Sequence, residues 1–320
     1  AIAQDQSIVM AQAVGTDTVV LTGVGEGMTT VELTADDEQG GVTLSSFTVT
    51  VSAAPVGFDL NAYPVVPQID QQSAAMLSQV YQSGVSNFGN RGNAFSKVGD
   101  ESVASEHFMA PLASDQANLG NFGALQGLID LYKAVPVRGD DPAVNSLTVD
   151  STAAEMGFGI DSLSAPPASG AACGDGSAST ALGCEYVATR PAIALVSFRA
   201  ENVMYLPPEQ FRAELQTLVM QSLSEYGVIP VLATIPADSS ATTDQLAEYN
   251  RAIVEVATQS GVPLWNLWWA MAERSISDPF SVAPEGAGVL TDPALSYGYN
   301  VRNLTALQTL QAVRQAAGIQ

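Results

Sequence analysis

The stretch Phe95-Ser96-Lys97-Val98-Gly99-Asp100-Glu101-Ser102 runs from apolar residues into a Gly-Asp turn with acidic and hydroxyl side chains behind it. It has the form of a strand ending where a helix could follow. The residue after Gly-Asp is Glu101. A carboxylate already bears charge and offers no hydroxyl proton to remove. Ser102 stands one place later, where an elbow would aim its side chain elsewhere. Downstream, Arg199-Ala200-Glu201-Asn202 and Asp278-Pro279-Phe280-Ser281 carry the other candidate groups. Asp100, Glu101, Glu201 and Asp278 would gather at one sheet edge, at the C-terminal strand ends where α/β folds bind ligands. Several carboxylates there could hold Ca²⁺, and a pair could act as acid and base on a glycosidic bond. Arg199 offers a plainer role, neutralising Glu101 or Glu201 through an ion pair, and we favour it. The acidic turn Asp36, Asp37 and Glu38 is a second cation candidate, although acidic turns are ordinarily just solvated. The single histidine, His107, has the usual standing of a lone histidine, a packed or surface residue.

The elements that must position these groups follow from periodicity. Ala192 to Val196 is a continuous apolar strand, as a parallel sheet covered on both faces requires. Phe211, Leu215, Leu218 and Leu223 predict a helix over 208–226 that ends at Gly227. Val228 to Ile235 is the next strand. Thr243 or Asp244 caps a helix carrying Leu246, Tyr249, Ile253 and Val256, ended by Gly261. Val262 to Trp265 starts another strand, and a last helix runs from near Asn303 or Thr305 to Gly318. Upstream, Asp70 caps a helix that Gly84 stops, and 124–132 is a short apolar helix. Residues 136–190, rich in Pro, Gly, Ser and Ala, read as a long ordered insertion rather than a core element. Strands alternating with helices imply a doubly wound α/β sheet. Residues 1–54 differ: short alternating runs around Val9, Val20, Val31 and Val49 predict about four β-strands.

Composition narrows the function classes. The chain has 320 residues, 47% of them apolar, enough for a substantial core. Its formal net charge is −22, and only Lys97 and Lys133 are lysines. Such a surface repels nucleic acid and anionic lipid. No run reaches the roughly 18 apolar residues of a membrane span. No basic segment precedes an apolar stretch at the start, so an exported protein would be present here in mature or cut form. Cys173 and Cys184 flank a small polar loop, which favours a disulfide, and a disulfide implies export.

Residues 63–316 resemble the SGNH/GDSL hydrolase domains of secreted bacterial proteins. The resemblance is carried by AFSKVGD, NLGNFGALQGLID, CEYVATRPAIALVSF, GVIPVLATIP, VPLWNLWWA and YGYNVRNLTALQTL. It implies a flavodoxin-like three-layer α/β domain over 67–320, with the insertion at about 136–190. In that family the first block presents a serine where Glu101 stands. The second block supplies a glycine N–H to an oxyanion, matched by Gly120. The third block, Gly-x-Asn-Asp, donates an asparagine. Aligned on Val203, its glycine becomes Arg199 and its asparagine Glu201, whereas a slip of one residue would keep Asn202. The last block, Asp-x-x-His, keeps Asp278 and has Ser281 for histidine. No catalytic residue is therefore expected, with Ser102 as fallback nucleophile. Residues 22–51 are similar to the second half of a bacterial immunoglobulin-like or cadherin-like repeat. That makes 1–54 a small partial β-sandwich, joined to the α/β domain by a linker at 55–66. Its missing strands were either lost upstream or come from a neighbouring chain by donor-strand addition.

These features point to a non-catalytic, extracellular surface or structural subunit. It forms a homo-oligomer or polymer through residues 1–54, with no nucleic-acid partner and no obligatory cofactor. Two others stay open: an active SGNH-type esterase or carbohydrate hydrolase, and a Ca²⁺-dependent adhesin or polysaccharide-binding protein.

Overall fold

A computed structural model describes residues 2–14, 18–23, 27–36, 42–51, 58–167, 173 and 178–319. It divides into two units, one ending at Phe58 and the other starting at Asp59.

The first unit is all-β. Strands β2 (Val9–Val14) and β3 (Thr18–Gly23) form an antiparallel pair. Strands β1 (Ile2–Ala3), β4 (Gly27–Asp36) and β5 (Val42–Val51) form a second antiparallel sheet in the order β1-β4-β5. Ala3 and Val31 from one sheet meet Val9 from the other in a small shared core. The short β1 is a fifth strand beyond the four expected, since two residues leave no periodicity to detect. Asp36 is the last residue of β4; Asp37 and Glu38 lie outside the described residues.

In the second unit, β6 (Arg91–Gly99), β7 (Pro191–Ser197), β8 (Ile229–Ala233) and β9 (Leu264–Trp265) form a parallel sheet in that order. Phe95 pairs with Ile193, Ile193 with Ile229 and Leu232 with Leu264. The helices are α1 (Gln71–Ser83), α2 (Glu101–Ala104), α3 (Gln126–Lys133) and α4 (Ala181–Thr189), then α5 (Pro208–Met220), α6 (Thr243–Ser260), α7 (Leu267–Ala272) and α8 (Gly298–Ala317). Strand alternation sorts them into layers. Phe95, Ile193 and Leu195 pack with Leu77 of α1, Ile129 of α3, Leu267 of α7 and Leu307 of α8. Val98, Ala194 and Val196 pack with Tyr186 of α4, Phe211 of α5 and Ile253 of α6. Each Val, Leu, Ile or Phe among these contributes about 1.5–3 kcal/mol when fully buried. The doubly wound α/β class read from the sequence is the one observed.

Beyond β6 the sheet continues by a single parallel bridge, Gly99 to Ala154, with Gly99 N–H donating to Ala153 O at 2.9 Å. Counting that bridge as a strand gives the order 2-1-3-4-5, the flavodoxin-like winding. The insertion thus supplies an edge, and α4 within it is a core element with Leu182, Cys184, Glu185 and Tyr186 buried. This corrects the expectation for 136–190; small and polar residues hid a helix whose polar groups are paired inside. Cys173 and Cys184 form the expected disulfide.

Other boundaries are corrected too. Gly84 does not stop α1: a π turn over Gly84–Phe88 carries the chain to Gly89, whose φ is 69°. A Cβ at Gly84 would lie 2.3 Å from Gly227 O, so this glycine serves close approach rather than termination. The cap of α6 is Thr242, in a capping box with Gln245, rather than Thr243 or Asp244. Helix α8 starts at Gly298, well before Asn303. From Asp59 the expected linker belongs to the α/β unit, where Asn266 Nδ2 donates to Leu60 O at 2.7 Å and Tyr63 O at 2.8 Å.

Candidate functional site

The end of β6 is set by Gly99. Its φ of 142°, and the 1.8 Å that would separate a Cβ from Ser197 O, exclude any side chain there. The chain then turns at Asp100 into α2. Asp100 is fully buried. Its Oδ1 accepts from Ser102 N–H at 2.8 Å; its Oδ2 accepts from Arg199 N–H at 2.5 Å and Asn202 Nδ2 at 3.0 Å. Burial pushes the Asp100 carboxyl up, and these hydrogen bonds only partly offset it. A buried counter-charge stands nearby: Arg302 of α8, whose Nη1 donates to Ser197 Oγ at 3.0 Å and which feels the Asp100 charge.

Glu101 opens α2 with its side chain 22% exposed. Its Oε1 pairs with Arg199 Nη1 at 2.9 Å. Its Oε2 accepts from Gly157 N–H at 3.1 Å and Asn202 Nδ2 at 3.0 Å. Burial raises the Glu101 carboxyl, but the Gly157 N–H, its own N–H, the Arg199 charge and the Asn202 amide outweigh that and hold it below the usual range. Arg199 also reaches Glu201 at 3.3 Å and Asp238 at 3.8 Å, and its guanidinium lies 4.3 Å from the Phe280 ring centroid. The cation among these carboxylates is therefore a guanidinium, as the ion-pair reading anticipated. Among the described residues no group of three His, Cys, Asp or Glu is placed to hold a metal.

The sequence-predicted positions fare unevenly. Glu101 faces the cleft, together with Ala104, Ser105, Met156, Arg199, Phe280 and Tyr299. Of the two neighbours weighed in the sequence, Asn202 faces Glu101, while the Glu201 side chain is 47% exposed. Gly120 is not among the described residues lining the cleft; its N–H donates to Asn118 Oδ1 at 3.1 Å, and Leu290 O lies 3.0 Å from where its Cβ would be. The glycine that donates at Glu101 is Gly157, just past the Ala154 bridge. Nothing local marked it among the many glycines of that segment; its place beyond an edge strand was the only signal. Ser102, the fallback nucleophile, is fully buried next to Asp100, and its Oγ has no hydrogen-bond partner among the described residues.

Asp278 and Ser281 do not join the carboxylates. Asp278 Oδ1 accepts from Phe280 N–H at 2.9 Å, and Ser281 Oγ accepts from Gly298 N–H at 2.9 Å, so the pair fixes the entry to α8 and leaves Phe280 facing the cleft. Asp238, which no motif marked, sits closer to Arg199. The His107 ring lies 5.6 Å from that of Tyr299, centroid to centroid. The geometry thus holds the Glu101 carboxylate on hydrogen-bond donors.

No family model matches the chain, and no curated protein matches it. Solved structures similar to it include three hydrolases. A putative lipolytic protein of the G-D-S-L family from Desulfitobacterium hafniense is 13% identical, with 69% of this chain and 99% of that one covered at a TM-score of 0.39. The lipase/acylhydrolase from Enterococcus faecalis is 16% identical, with 70% and 95% covered and a TM-score of 0.39. A catalytic mutant of an acetylxylan esterase from Geobacillus stearothermophilus is 13% identical, with 69% and 95% covered and a TM-score of 0.38.

Proposed function

We propose that this chain is a non-catalytic, SGNH-like subunit of an exported surface or structural protein. One observation carries the reading: the carboxylate at the turn after β6 takes both the Gly157 N–H and the Asn202 amide. In the resembled family, donors of this kind would serve an acyl oxyanion. Loss of nucleophile or base alone removes on the order of 10⁶ in rate from a serine-triad enzyme. With p-nitrophenyl acetate, the wild type is expected to match the buffer rate, as are Ser102→Ala and Glu101→Gln. Wild-type turnover that disappears on either substitution would establish an active hydrolase instead. The disulfide supports an oxidising, extracellular setting, and no described helix is long and apolar enough to cross a membrane.

Self-assembly through the first unit belongs to the same proposal. It is supported by β5, ten uncharged residues with β4 as their only strand neighbour among the described residues. An uncharged edge favours strand addition, and a lysine on it disfavours pairing. Sedimentation velocity should show concentration-dependent oligomers that Thr48→Lys reduces to one small species. A monodisperse wild-type monomer would end the idea.

A further inference from the structure

The described groups that touch the Glu101 carboxylate oxygens are donors, two of which are shared with the carboxylates of Asp100 and Glu201. Gly157 N–H and Asn202 Nδ2 both aim at Oε2, and Arg199 Nη1 at Oε1. Two such N–H groups and a guanidinium complement a carboxylate, and charge-assisted hydrogen bonds are the strong ones. Each is also held by a group other than the Glu101 side chain. Asp100 Oδ2 fixes the Asn202 amide at 3.0 Å and the Arg199 N–H at 2.5 Å, and its Oδ1 fixes the Ser102 N–H of the turn. Phe280 lies against the Arg199 guanidinium. The Ala154 bridge and the hydrogen bond from Gly99 N–H to Ala153 O hold the segment leading to Gly157. Removing the Glu101 side chain would leave these anchors in place.

We propose that these donors form a carboxylate-binding pocket and that the Glu101 side chain is its tethered occupant, closing it to free monocarboxylates and to acyl groups. The pocket belongs to the fold, and the occupant is a single replaceable side chain. The inference rests on the donor geometry and not on the non-catalytic reading. Wild-type esterase turnover would overturn that reading and leave this one to its own test.

The test is Glu101→Ala, followed by thermal and urea unfolding in sodium acetate against sodium chloride of equal ionic strength. The variant should unfold more readily than the wild type. Acetate should then restore it saturably, shifting the folding equilibrium about a hundredfold at a hundred times its Kd. Acetamide, which lacks the charge, should not. The wild type, already filled, should not respond, nor should Glu101→Ala combined with Asn202→Ala. Equal responses in wild type and Glu101→Ala, or none in the variant, would overturn the proposal. If Glu101→Ala does not fold, carbon-13 NMR of the intact protein decides. The Glu101 carboxyl should titrate below the ordinary glutamate range and move up in Asn202→Ala. An ordinary titration point, unmoved by that substitution, would overturn it equally.

Discussion

Glu185→Ala is expected to lower folding stability by about 3 kcal/mol, near the lower end of what breaking a buried ion pair costs. Glu185 sits on α4, fully buried. Its Oε1 accepts from Ser96 Oγ at 2.7 Å and Thr189 Oγ1 at 2.9 Å. Its Oε2 accepts from Thr152 N–H at 2.9 Å and Thr152 Oγ1 at 3.2 Å, and pairs with Arg138. One carboxylate thus joins β6, the insertion and α4. Alanine would strand these donors away from water and remove the carboxylate that attracts the buried Lys97 most. Arg138 has a 27% exposed side chain, so water would re-solvate that partner, which is why the lower end applies. Urea titration followed by tryptophan fluorescence measures the loss. A change under about 1 kcal/mol, within the range of an ordinary hydrogen bond, would show that the carboxylate is not a hub. Glu185→Gln should fall between, since the amide keeps one acceptor and turns a donor toward Thr152.

Lys97→Met is expected to act in the opposite direction and stabilise the protein by about 1–3 kcal/mol at pH 7, because the folded state holds the ammonium less well than water does. The Lys97 ammonium is buried in β6 and makes one long hydrogen bond, 3.5 Å to Leu147 O. Burial pushes its pKa down to about 8, against the attraction of Glu185 and Asp150 and with the help of Arg138. A folded pKa below the unfolded one means that the unfolded chain binds more protons between about 8 and 10.4, so stability rises with pH there. Below pH 8 both states are protonated and the full cost of the buried charge remains. The wild type should therefore gain stability from pH 8 to about 9.5, and Lys97→Met should be flat over that interval. Above it, the phenols of Tyr132 and Tyr186, raised by burial, oppose the gain. A methionine variant less stable than wild type at pH 7, or one that keeps the alkaline slope, would refute the account. The Glu185 and Lys97 effects share one network and should not add.

The parts of the fold that could be read from the chain are those where packing alone decides. Ile193, Leu195 and Val196 are buried on both faces of the sheet and leave an unbroken apolar run. The turn after β6 was legible because Gly99 needs a positive φ and Asp100 caps α2. The parts that escaped are those where polar groups are satisfied inside the fold. Helix α4 carries Glu185 inward, and the first two turns of α8 bury Asn300, Arg302 and Asn303 against carbonyls and a hydroxyl, which erases the expected periodicity. Whether Glu201 or Asn202 turns inward could not be read from residue type, and in the fold it is Asn202 that donates to Asp100. Gly157 contributes only its backbone N–H, which no residue-type pattern can reveal.

The one-bridge edge has a consequence for how the α/β unit meets other chains. The outer side of β6 is capped by Phe95 N–H donating to Ser146 Oγ at 2.9 Å, by Arg91 Nη1 on Pro136 O at 3.0 Å and by the Gly99 bridge. The opposite border, β9, is two residues long. Neither flank offers a length of exposed backbone on which a foreign strand could template itself, so the parallel sheet is insulated against edge-to-edge aggregation.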